Sequence, residues 1–545
     1  MAAERPPNIL FVVVDQLYGG QAIPPGVPLP SRARLEDAGL SLPNYQVNTT
    51  VCTPSRSVIY TGRHAPNTGM WDLHNMPYIT DMSSEIPTVG TMLREAGYHT
   101  AYKGKWHLSE QPDTGSRDSL EQYGFSEVQD WGAMWGAPLD GLTRDPSIAG
   151  EAAYWLRQRA PVIGEDQPWY LAVNFVNPHD IMYFQTGAEQ HGVVGLFSAP
   201  DEVVYRAENA VELPDNFEDD LSGQPGAVSD YLHGLNAFFG AIPEGRDDLW
   251  KRHINYYVNC IRDVDQHVGT VLDALEASGQ ADRTIIIFTS DHGEMAGAHG
   301  LRQKGSVAFR EVINVPFVIV HPDGPRGASS DAVVSAVDLV PTLLSFAGVP
   351  TSELRERHSG VVGRDFSDVI ADASSAGPRG SAVEPGDGML VTHDMLSTYD
   401  IEWITRNREG IVKLVGATKG DGDVDAKEIL AAMDRPDFTK RNLFRAVYDG
   451  RHKMVRYFGG RGYNRPADAD ELCADNDVAL YDVVADPGEL RNLARPEDPA
   501  YDPALLERMN AKLNSHIDSE IGADVSVVDR LPEGLRKTIG SKRKE

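Results

Sequence analysis

"NILFVVVDQ", residues 8–16, is a run of apolar side chains, rich in β-branched valine, that ends in an aspartate and a glutamine. A run without polar alternation is typical of a strand that is covered on both faces, as in a parallel sheet. Two further runs have the same character, "WYLAVNFV" at 169–176 and "TIIIFTS" at 284–290. The sequence therefore predicts that these three segments are strands of a parallel sheet.

Helical patterns separate these strands. Residues 254–275 carry apolar side chains at helical spacing and lead into a stop signal at Gly279. Residues 337–348 form a shorter helical segment that also ends in a glycine. Strands that alternate with helices predict an α/β fold with a doubly wound sheet flanked by helices.

The composition changes near residue 370. Segment 370–388 is rich in alanine, glycine, serine and proline, which predicts a linker or an exposed loop. Shorter, alternating strand patterns follow at 452–460 and 478–484, and a helical pattern lies near the end. We therefore predict a catalytic domain at 1–385 and a smaller α+β region at 386–545 with a terminal helix and a solvated tail.

The net charge and the number of cysteines argue against several classes of protein. The 545 residues include 80 acidic and 50 basic side chains, a formal net charge of −30. Such a surface repels nucleic acid and anionic membranes, so neither is an expected partner. Three widely spaced cysteines form neither a disulfide framework nor a zinc cluster. The start of the chain lacks a leader pattern, and its apolar run is too short to span a membrane, so we predict a cytoplasmic protein.

Polar side chains follow the predicted strands where each one ends. Asp15 and Gln16 follow the first strand, Asp291 and His292 follow the last, and His179 comes soon after the middle one. Ligands of open α/β sheets bind beyond the carboxyl ends of the strands. Two carboxylates, an amide oxygen and an imidazole make a reasonable cage for a divalent cation. The alternative is that each aspartate caps a helix.

Basic residues supply candidates for binding an anion. Lys103, Lys105 and His107 alternate in "YKGKWHL", so one strand-like face would carry all three. Lys304 follows the last predicted strand, and Arg56 lies four residues after a cysteine. A protein of net charge −30 that binds an anion must concentrate positive charge locally. The alternative for each lysine is a solvated surface charge.

Cys52 stands just before a predicted helix. The following "PSRSVIYTG" has a proline near the first helical position. A group at a helix N-terminus meets partial positive charge and free N–H donors, which suits a nucleophile that attacks an anionic centre. The alternative is a small buried side chain. We assign Cys260 and Cys473 to that alternative, because neither has comparable neighbours.

These motifs resemble the type I sulfatase family. "CTPSR" at 52–56, followed by "TGR", is similar to the family signature C-x-P-S-R…TGR. "NILFVVVDQ", "GYHTAYKGKWHL", "TIIIFTSDHGEMAGAHGL", "VDLVPTLLSFAGVP" and "LYDVVADPGELRNLA" resemble further family segments in the same order. The resemblance implies the fold of the alkaline phosphatase superfamily, with a sulfatase catalytic domain.

The resemblance also implies a modified nucleophile. In this family the cysteine at position 52 is oxidised to formylglycine by a formylglycine-generating enzyme, which would be a transient partner. One hydroxyl of the hydrated aldehyde attacks sulfur and expels the alcohol, and the other expels sulfate as the aldehyde re-forms. Arg56 and His107 resemble the residues that hold the formylglycine, and His107 would accept a proton during that collapse.

The resemblance assigns one divalent metal ion to Asp15, Gln16, Asp291 and His292, together with the formylglycine at position 52. Many arylsulfatases have Asp-Asp and Asp-Asn at these two places. The pairs Asp-Gln and Asp-His resemble the phosphonate monoester hydrolase and choline sulfatase branch. An imidazole ligand favours Mn²⁺ over Ca²⁺.

Four further residues receive substrate roles from the resemblance. Lys105 and Lys304 would bind the sulfate oxygens and stabilise charge on them. His179 resembles the family histidine near the leaving group and would act as the general acid. Asn75 resembles a substrate-contacting asparagine of some relatives.

Four functions follow as alternatives. The first is hydrolysis of sulfate monoesters, such as aryl or other small organic sulfates. The second is hydrolysis of phosphonate monoesters or phosphodiesters at the same site. A thiol-dependent enzyme that uses Cys52 as a thiolate is the third, and a non-catalytic metal-binding relative is the fourth. Relatives in this branch associate through C-terminal segments, so we expect a homo-oligomer, a dimer or a tetramer, formed through the region after about residue 390.

Overall fold

The structure is a computed structural model, and it describes most of the chain. The described residues are 5–20, 23–74, 76, 78–110, 118–129, 137–190, 203–407, 409–410, 413, 433, 436–460, 465–523, 525–531, 533 and 536. None of the helices in these ranges combines the length and the apolar character that crossing a bilayer requires.

The central feature is an eight-stranded mixed sheet with the order β5-β4-β6-β1-β7-β8-β2-β9. Its strands and those of a small two-stranded sheet are β1 Asn8–Asp15, β2 Leu40–Ser41, β3 Tyr45–Gln46, β4 His99–Gly104, β5 Ser126–Gln129, β6 Trp169–Pro178, β7 Thr284–Ser290, β8 Phe317–Val320, β9 Ala328–Ser329 and β10 Val334–Ser335. The three strands predicted from their apolar runs are adjacent and parallel, with Ile9 of β1 paired to Tyr170 of β6 and to Ile285 of β7. The prediction of a parallel sheet around the first run is therefore confirmed.

Helices cover both faces of this sheet. In chain order, the helices of the described residues are α1 Pro30–Ala38, α2 Cys52–Thr61, α3 Val89–Glu95, α4 Asp140–Gln158, α5 Ala160–Asp166, α6 Gly226–Phe239, α7 Asp247–Ala277, α8 Arg310–Ile313, α9 Leu339–Phe346, α10 Thr351–Arg357, α11 Ser367–Ala371, α12 Ile401–Arg406, α13 Ala469–Asp475, α14 Pro503–His516 and α15 Val527–Arg530. Phe11 of β1 packs in the core that contains α2 and α9, and Val12 packs in the core that contains α4 and α7. Burial on both faces explains why the first run shows no polar alternation.

A second sheet lies in the C-terminal part of the chain. It is antiparallel, with the order β11-β12-β13-β14, formed by β11 Met389–His393, β12 Leu443–Tyr448, β13 His452–Phe458 and β14 Asp477–Asp482. Leu390 and Val447 pack with α14 on one face, and Val391 and Ala446 join the main core on the other. The α/β class with a smaller α+β C-terminal part is thus confirmed. The proposed division at residue 385 stays a prediction.

Two expectations about the C-terminal half are wrong. The segment at 370–388 is not simply an exposed loop, because Arg379 is fully buried and forms a two-point ion pair with Asp338 at 2.6 and 2.8 Å. The small residues around Arg379 are typical of a loop, so the sequence pattern does not indicate that its side chain is buried and paired. Cys473 is exposed rather than buried, whereas Cys260 is buried as expected.

Arg379 belongs to a buried charge network that ties the C-terminal region to the rest of the chain. Its Nη1 lies 3.3 Å from Glu520 Oε1, in a turn of π-helix that follows α14. His516 Nδ1 lies 2.8 Å from the same oxygen, and His64 Nε2 lies 2.7 Å from Glu520 Oε2. Burial acts to raise the pKa of Glu520, but Arg379 and the two histidines hold it well below its usual range.

We expect Glu520→Gln to lower the free energy of unfolding by about 3 kcal/mol at neutral pH, because it leaves Arg379 partly uncompensated in the interior. A carboxylate whose folded pKa is depressed stabilises the fold above its unfolded pKa of 4.5, and this contribution is lost as pH falls. The difference in thermal midpoint between wild type and Glu520→Gln should therefore shrink from about pH 5 to about pH 3.5. A difference that stays constant over this range would contradict the assignment.

Candidate active site

Four adjacent strands, β4, β6, β1 and β7, bring the predicted site residues to one edge of the sheet. Asp15 is the last residue of β1, Asp291 follows β7, His179 follows β6, and Lys105 follows β4. Cys52 reaches the same edge from α2, where it is the first helical residue. The rule that polar groups gather beyond the carboxyl ends of parallel strands thus locates the site.

Asp15, Cys52, Asp291 and His292 form a compact buried cluster. One potential ligand atom from each lies within 4.8 Å of those of the other three. His292 Nε2 lies 3.0 Å from Cys52 Sγ, 3.6 Å from Asp15 Oδ1 and 3.8 Å from Asp291 Oδ1. Burial disfavours the charged imidazole, yet the neighbouring Asp291 carboxylate and Cys52 raise the pKa of His292.

Arg56 and Lys105 hold the outer oxygens of the two carboxylates. Asp15 Oδ2 lies 2.6 Å from Lys105 Nζ and 3.1 Å from Arg56 Nη2. Asp291 Oδ2 lies 2.9 Å from Arg56 Nε, an ion pair without the geometry of an aligned hydrogen bond. Burial alone would raise the pKa of Asp15, but Lys105, His179 and Arg56 hold it well below its usual range.

This pairing leaves one oxygen of each aspartate facing the cluster. Asp15 Oδ1 and Asp291 Oδ1 point towards His292, while their Oδ2 atoms contact the cations. Two carboxylate oxygens and an imidazole nitrogen are a donor set that divalent transition metals and, more weakly, Ca²⁺ accept. The separations of 3.0–3.8 Å between His292 Nε2 and the other three atoms are those expected around one ion that its ligands approach to about 2.1–2.5 Å. The residues therefore fit the predicted metal ion.

Gln16 occupies the position beside this cluster with a left-handed backbone, φ 73°. Its backbone N–H donates to Asp291 Oδ1 at 3.2 Å, which joins the ends of β1 and β7. Its side-chain oxygen accepts a hydrogen bond from Lys304 Nζ. The structure thus brings Gln16 and Lys304, predicted separately, into direct contact.

The start of α2 is fixed to two of the four strands. Ser55 Oγ donates to the backbone oxygen of Asp291 at 2.5 Å, and Thr53 Oγ1 donates to that of His107 at 3.1 Å. Pro54 is the third helical residue rather than the first. The Cys52 side chain is therefore held where backbone N–H groups and the helix dipole favour negative charge.

Positive groups around Cys52 favour its ionised form. Burial and Asp15 act to raise the pKa of the thiol, but Lys105, Lys304 and His292 outweigh them and lower it. Both lysines therefore act on the same small volume next to the sulfur. This is the local concentration of positive charge that an anionic substrate requires in so acidic a protein.

Two buried histidines at this edge carry ring nitrogens without hydrogen-bond partners among the described residues. They are both nitrogens of His107 and Nδ1 of His179. Burial and nearby cations, Lys105 for His107 and Lys304 for His179, hold the pKa of each imidazole well below its usual range. Both rings are therefore neutral at neutral pH and can exchange a proton or a hydrogen bond with a bound molecule.

Some expectations fail or lie beyond the described residues. Lys103 does not join Lys105 and His107, because β4 ends at Gly104 and the Lys103 ammonium donates to the backbone oxygen of Glu127. His107 has a left-handed backbone, φ 64°, which breaks the strand alternation that the prediction assumed. Asn75 lies outside the described residues.

The sequence reasoning overlooked two buried polar residues next to the site. Asn174 of β6 accepts hydrogen bonds from Arg56 Nη1 and from Tyr60 through its Oδ1. Glu294 accepts a hydrogen bond from Gln16 Nε2 at 2.5 Å. Glu294 lies only two residues after the predicted ligand His292. A carboxylate is rarely buried without a polar partner, so a buried Glu294 indicates further polar groups beside the site.

Comparisons with known proteins identify the family of the chain. A model of the family described as "Sulfatase" matches residues 7–349. The chain is similar to the sulfatase YidJ of Escherichia coli K12, with 30% identity over 378 residues that cover 64% of this chain and 69% of that protein. It is also similar to a choline-sulfatase of Rhizobium meliloti, with 26% identity over 385 residues, 65% of this chain and 70% of that protein.

The fold is shared with a solved phosphonate monoester hydrolase from Silicibacter pomeroyi. The TM-score is 0.63 at 20% identity, over 95% of this chain and 96% of that chain. The family match covers more than half of the sequence and includes every strand that carries the site. The chain therefore belongs to the sulfatase family.

Proposed function

We propose that the protein hydrolyses sulfate monoesters of aryl or other small organic alcohols and depends on formylglycine at position 52 and one divalent metal ion. Membership of the sulfatase family supports hydrolysis of sulfate esters. The observation that carries the finer proposal is the position of Cys52. It stands at the first residue of α2, within 4.8 Å of the metal-ligand atoms of Asp15, Asp291 and His292.

The modified residue and the metal would supply an attacking oxygen and stabilise negative charge on it and on the sulfate. The chain's own residues supply binding and proton transfer. Lys105 and Lys304 both act electrostatically on the Cys52 position and on His179, which supports a role for both lysines in binding the sulfate. Fixed cations in a buried site stabilise developing charge without having to reorganise.

His107 and His179 would share the proton transfers. His107 is neutral, and its backbone oxygen accepts a hydrogen bond from the Thr53 hydroxyl, which ties this residue to the start of α2. A neutral imidazole there can accept a proton from the residue at position 52. His179 is also neutral in the free protein, so it would donate a hydrogen bond to the leaving oxygen and gain a proton only when the substrate's negative charge is bound.

Hydrolysis of phosphonate monoesters or phosphodiesters is the second candidate. The pairs Asp15-Gln16 and Asp291-His292 resemble those of the phosphonate monoester hydrolase branch, and a member of that branch shares this fold. Lys105 and Lys304 would bind a phosphonate or phosphodiester group as well as a sulfate group. The first candidate is favoured because the relative of known substrate named above, choline-sulfatase, acts on a sulfate ester.

A substrate panel tests both candidates. The protein is prepared with and without a formylglycine-generating enzyme, and kcat/KM is measured on 4-nitrophenyl sulfate and on 4-nitrophenyl phenylphosphonate. We expect the intact mass to fall by about 18 Da on conversion, and sulfate hydrolysis to rise in proportion to the converted fraction. Sulfate turnover several orders of magnitude below phosphonate turnover would replace the first candidate with the second, and full activity of unconverted protein would exclude the formylglycine mechanism.

A further inference from the structure

The amide of Gln16 lies between a group that can only donate hydrogen bonds and a group that accepts them. Lys304 Nζ donates to Gln16 Oε1, and Gln16 Nε2 donates to Glu294 Oε2 at 2.5 Å. An ammonium has no acceptor, and a carboxylate has no donor. Only one orientation of the amide satisfies both neighbours, so the assignment of its oxygen and nitrogen follows from chemistry.

The carboxylate of Glu294 is itself fixed by its own loop. Its Oε1 accepts hydrogen bonds from the backbone N–H groups of Gln303, at 2.7 Å, and Ala296, at 3.1 Å. Its Oε2 faces the Gln16 amide, and His253 also interacts with this carboxylate. Glu294 is fully buried, so its orientation is not shared with solvent.

Gln303 connects the same group to the segment that carries His179. Its Nε2 donates to the backbone oxygen of Met182 at 3.3 Å, and its Oε1 lies 3.4 Å from Gln16 Nε2. Met182 belongs to the short helix His179–Tyr183. The Glu294 carboxylate thus stands at the junction of the loop after β7, the end of β1 and the segment after β6.

We propose that Glu294 is a positioning residue that orients the Gln16 amide with its oxygen towards Lys304 and the metal-binding cluster. The inference rests on the proposed function, because it assigns Glu294 to the support of the predicted ligand Gln16. Without Glu294 the amide could rotate and present its NH₂ group to Lys304, where two donors would face each other. A rotated amide would offer no oxygen to a cation.

The pairing also gives a physical reason for a glutamine at position 16. A glutamate there, which has the length of glutamine, would face the Glu294 carboxylate at hydrogen-bond distance, and two buried carboxylates this close repel each other. Glutamine and glutamate form a matched donor and acceptor.

An exchange of the two side chains tests this coupling. Glu294→Gln places two amides in contact, and Gln16→Glu places two carboxylates in contact. The double variant Gln16→Glu/Glu294→Gln restores one donor and one acceptor with the same total charge, and the carboxylate introduced at position 16 keeps an oxygen for Lys304. We expect each single variant to bind Mn²⁺ about 10-fold or more weakly than wild type, measured by calorimetry on metal-stripped protein, and the double variant to recover to within about 3-fold.

The alternative is that Glu294 only supports its loop through Gln303 and Ala296. In that case Glu294→Gln would lower the thermal midpoint of the metal-free protein, and the added Gln16→Glu change would restore neither that midpoint nor Mn²⁺ affinity. That additive result would overturn the inference. If wild-type protein itself bound no Mn²⁺ or Ca²⁺, the proposed function would fail, whereas additive losses in a metal-binding wild type would remove only the role of Glu294.

Discussion

Cys52→Ala should abolish hydrolysis of 4-nitrophenyl sulfate, with kcat lowered by at least about 10⁴-fold. Alanine removes the side-chain atom that would be converted into the attacking group. Arg56, Lys105 and His292 are held by Asp15 and Asp291, so the remainder of the site should stay in place. Steady-state kinetics on protein co-expressed with a formylglycine-generating enzyme provide the measurement.

Cys260→Ala is the matched control for this variant. Cys260 is also buried, but it packs in the core that contains α4 and α7 and is not a member of the cluster of Asp15, Cys52, Asp291 and His292. Its replacement should lower stability by about 1 kcal/mol through a small cavity and leave kcat unchanged. Undiminished turnover by Cys52→Ala would mean that position 52 carries no chemistry and would favour another nucleophile.

Asp291→Asn should remove metal binding and activity together. The change deletes one carboxylate of the cluster and takes from Arg56 one of its two carboxylate partners, leaving a buried cation under-compensated. We expect affinity for Mn²⁺ and for Ca²⁺ to fall by at least about 100-fold. Calorimetry on metal-stripped protein measures both affinities, and the metal that wild type binds more tightly identifies the preferred ion.

Asp394→Asn is the control that distinguishes a specific loss of metal binding in Asp291→Asn from a general loss of stability. Asp394 is also a buried aspartate paired with arginines, Arg445 at 2.7 Å and Arg530 at 2.9 Å, but it lies outside the metal cluster. This variant should be destabilised, as Asp291→Asn is, and should keep its affinity for Mn²⁺. Equal loss of affinity in both variants would show that the effect of Asp291→Asn is a general loss of structure.

The sequence predicted the parts of the fold and the site that depend on local pattern. β1, β6 and β7 were identified because a strand buried on both faces must be apolar throughout, whatever its neighbours are. Asp15, Asp291 and His292 followed from their place at strand ends. Arg56, Lys105 and Lys304 were candidates by charge, and the structure shows that the first two contact Asp15 while Lys304 contacts Gln16.

Features that depend on contacts between distant segments were not predictable. The left-handed backbone at Gly104, φ 91°, lies where β4 ends and separates Lys103 from Lys105, and a second one at His107 turns the chain again. Arg379 looked like a loop residue because its two carboxylate partners lie 41 and 141 positions away. The orientation of the Gln16 amide depends on Glu294, 278 positions later. Contacts between residues this far apart in sequence leave no periodic pattern in the local sequence, so the pattern cannot predict them.

The contact between His64 and Glu520 bears on the order of events during synthesis. His64 lies just after α2, and its partner is made 456 residues later. Translation proceeds from the N-terminus, so the segment that contains position 52 leaves the ribosome long before this anchor exists. Throughout that interval the segment after α2 lacks this tertiary restraint. If Cys52 is converted as proposed, the modifying enzyme would have to act on the growing or unfolded chain, because in the finished fold only 2% of Cys52 is exposed.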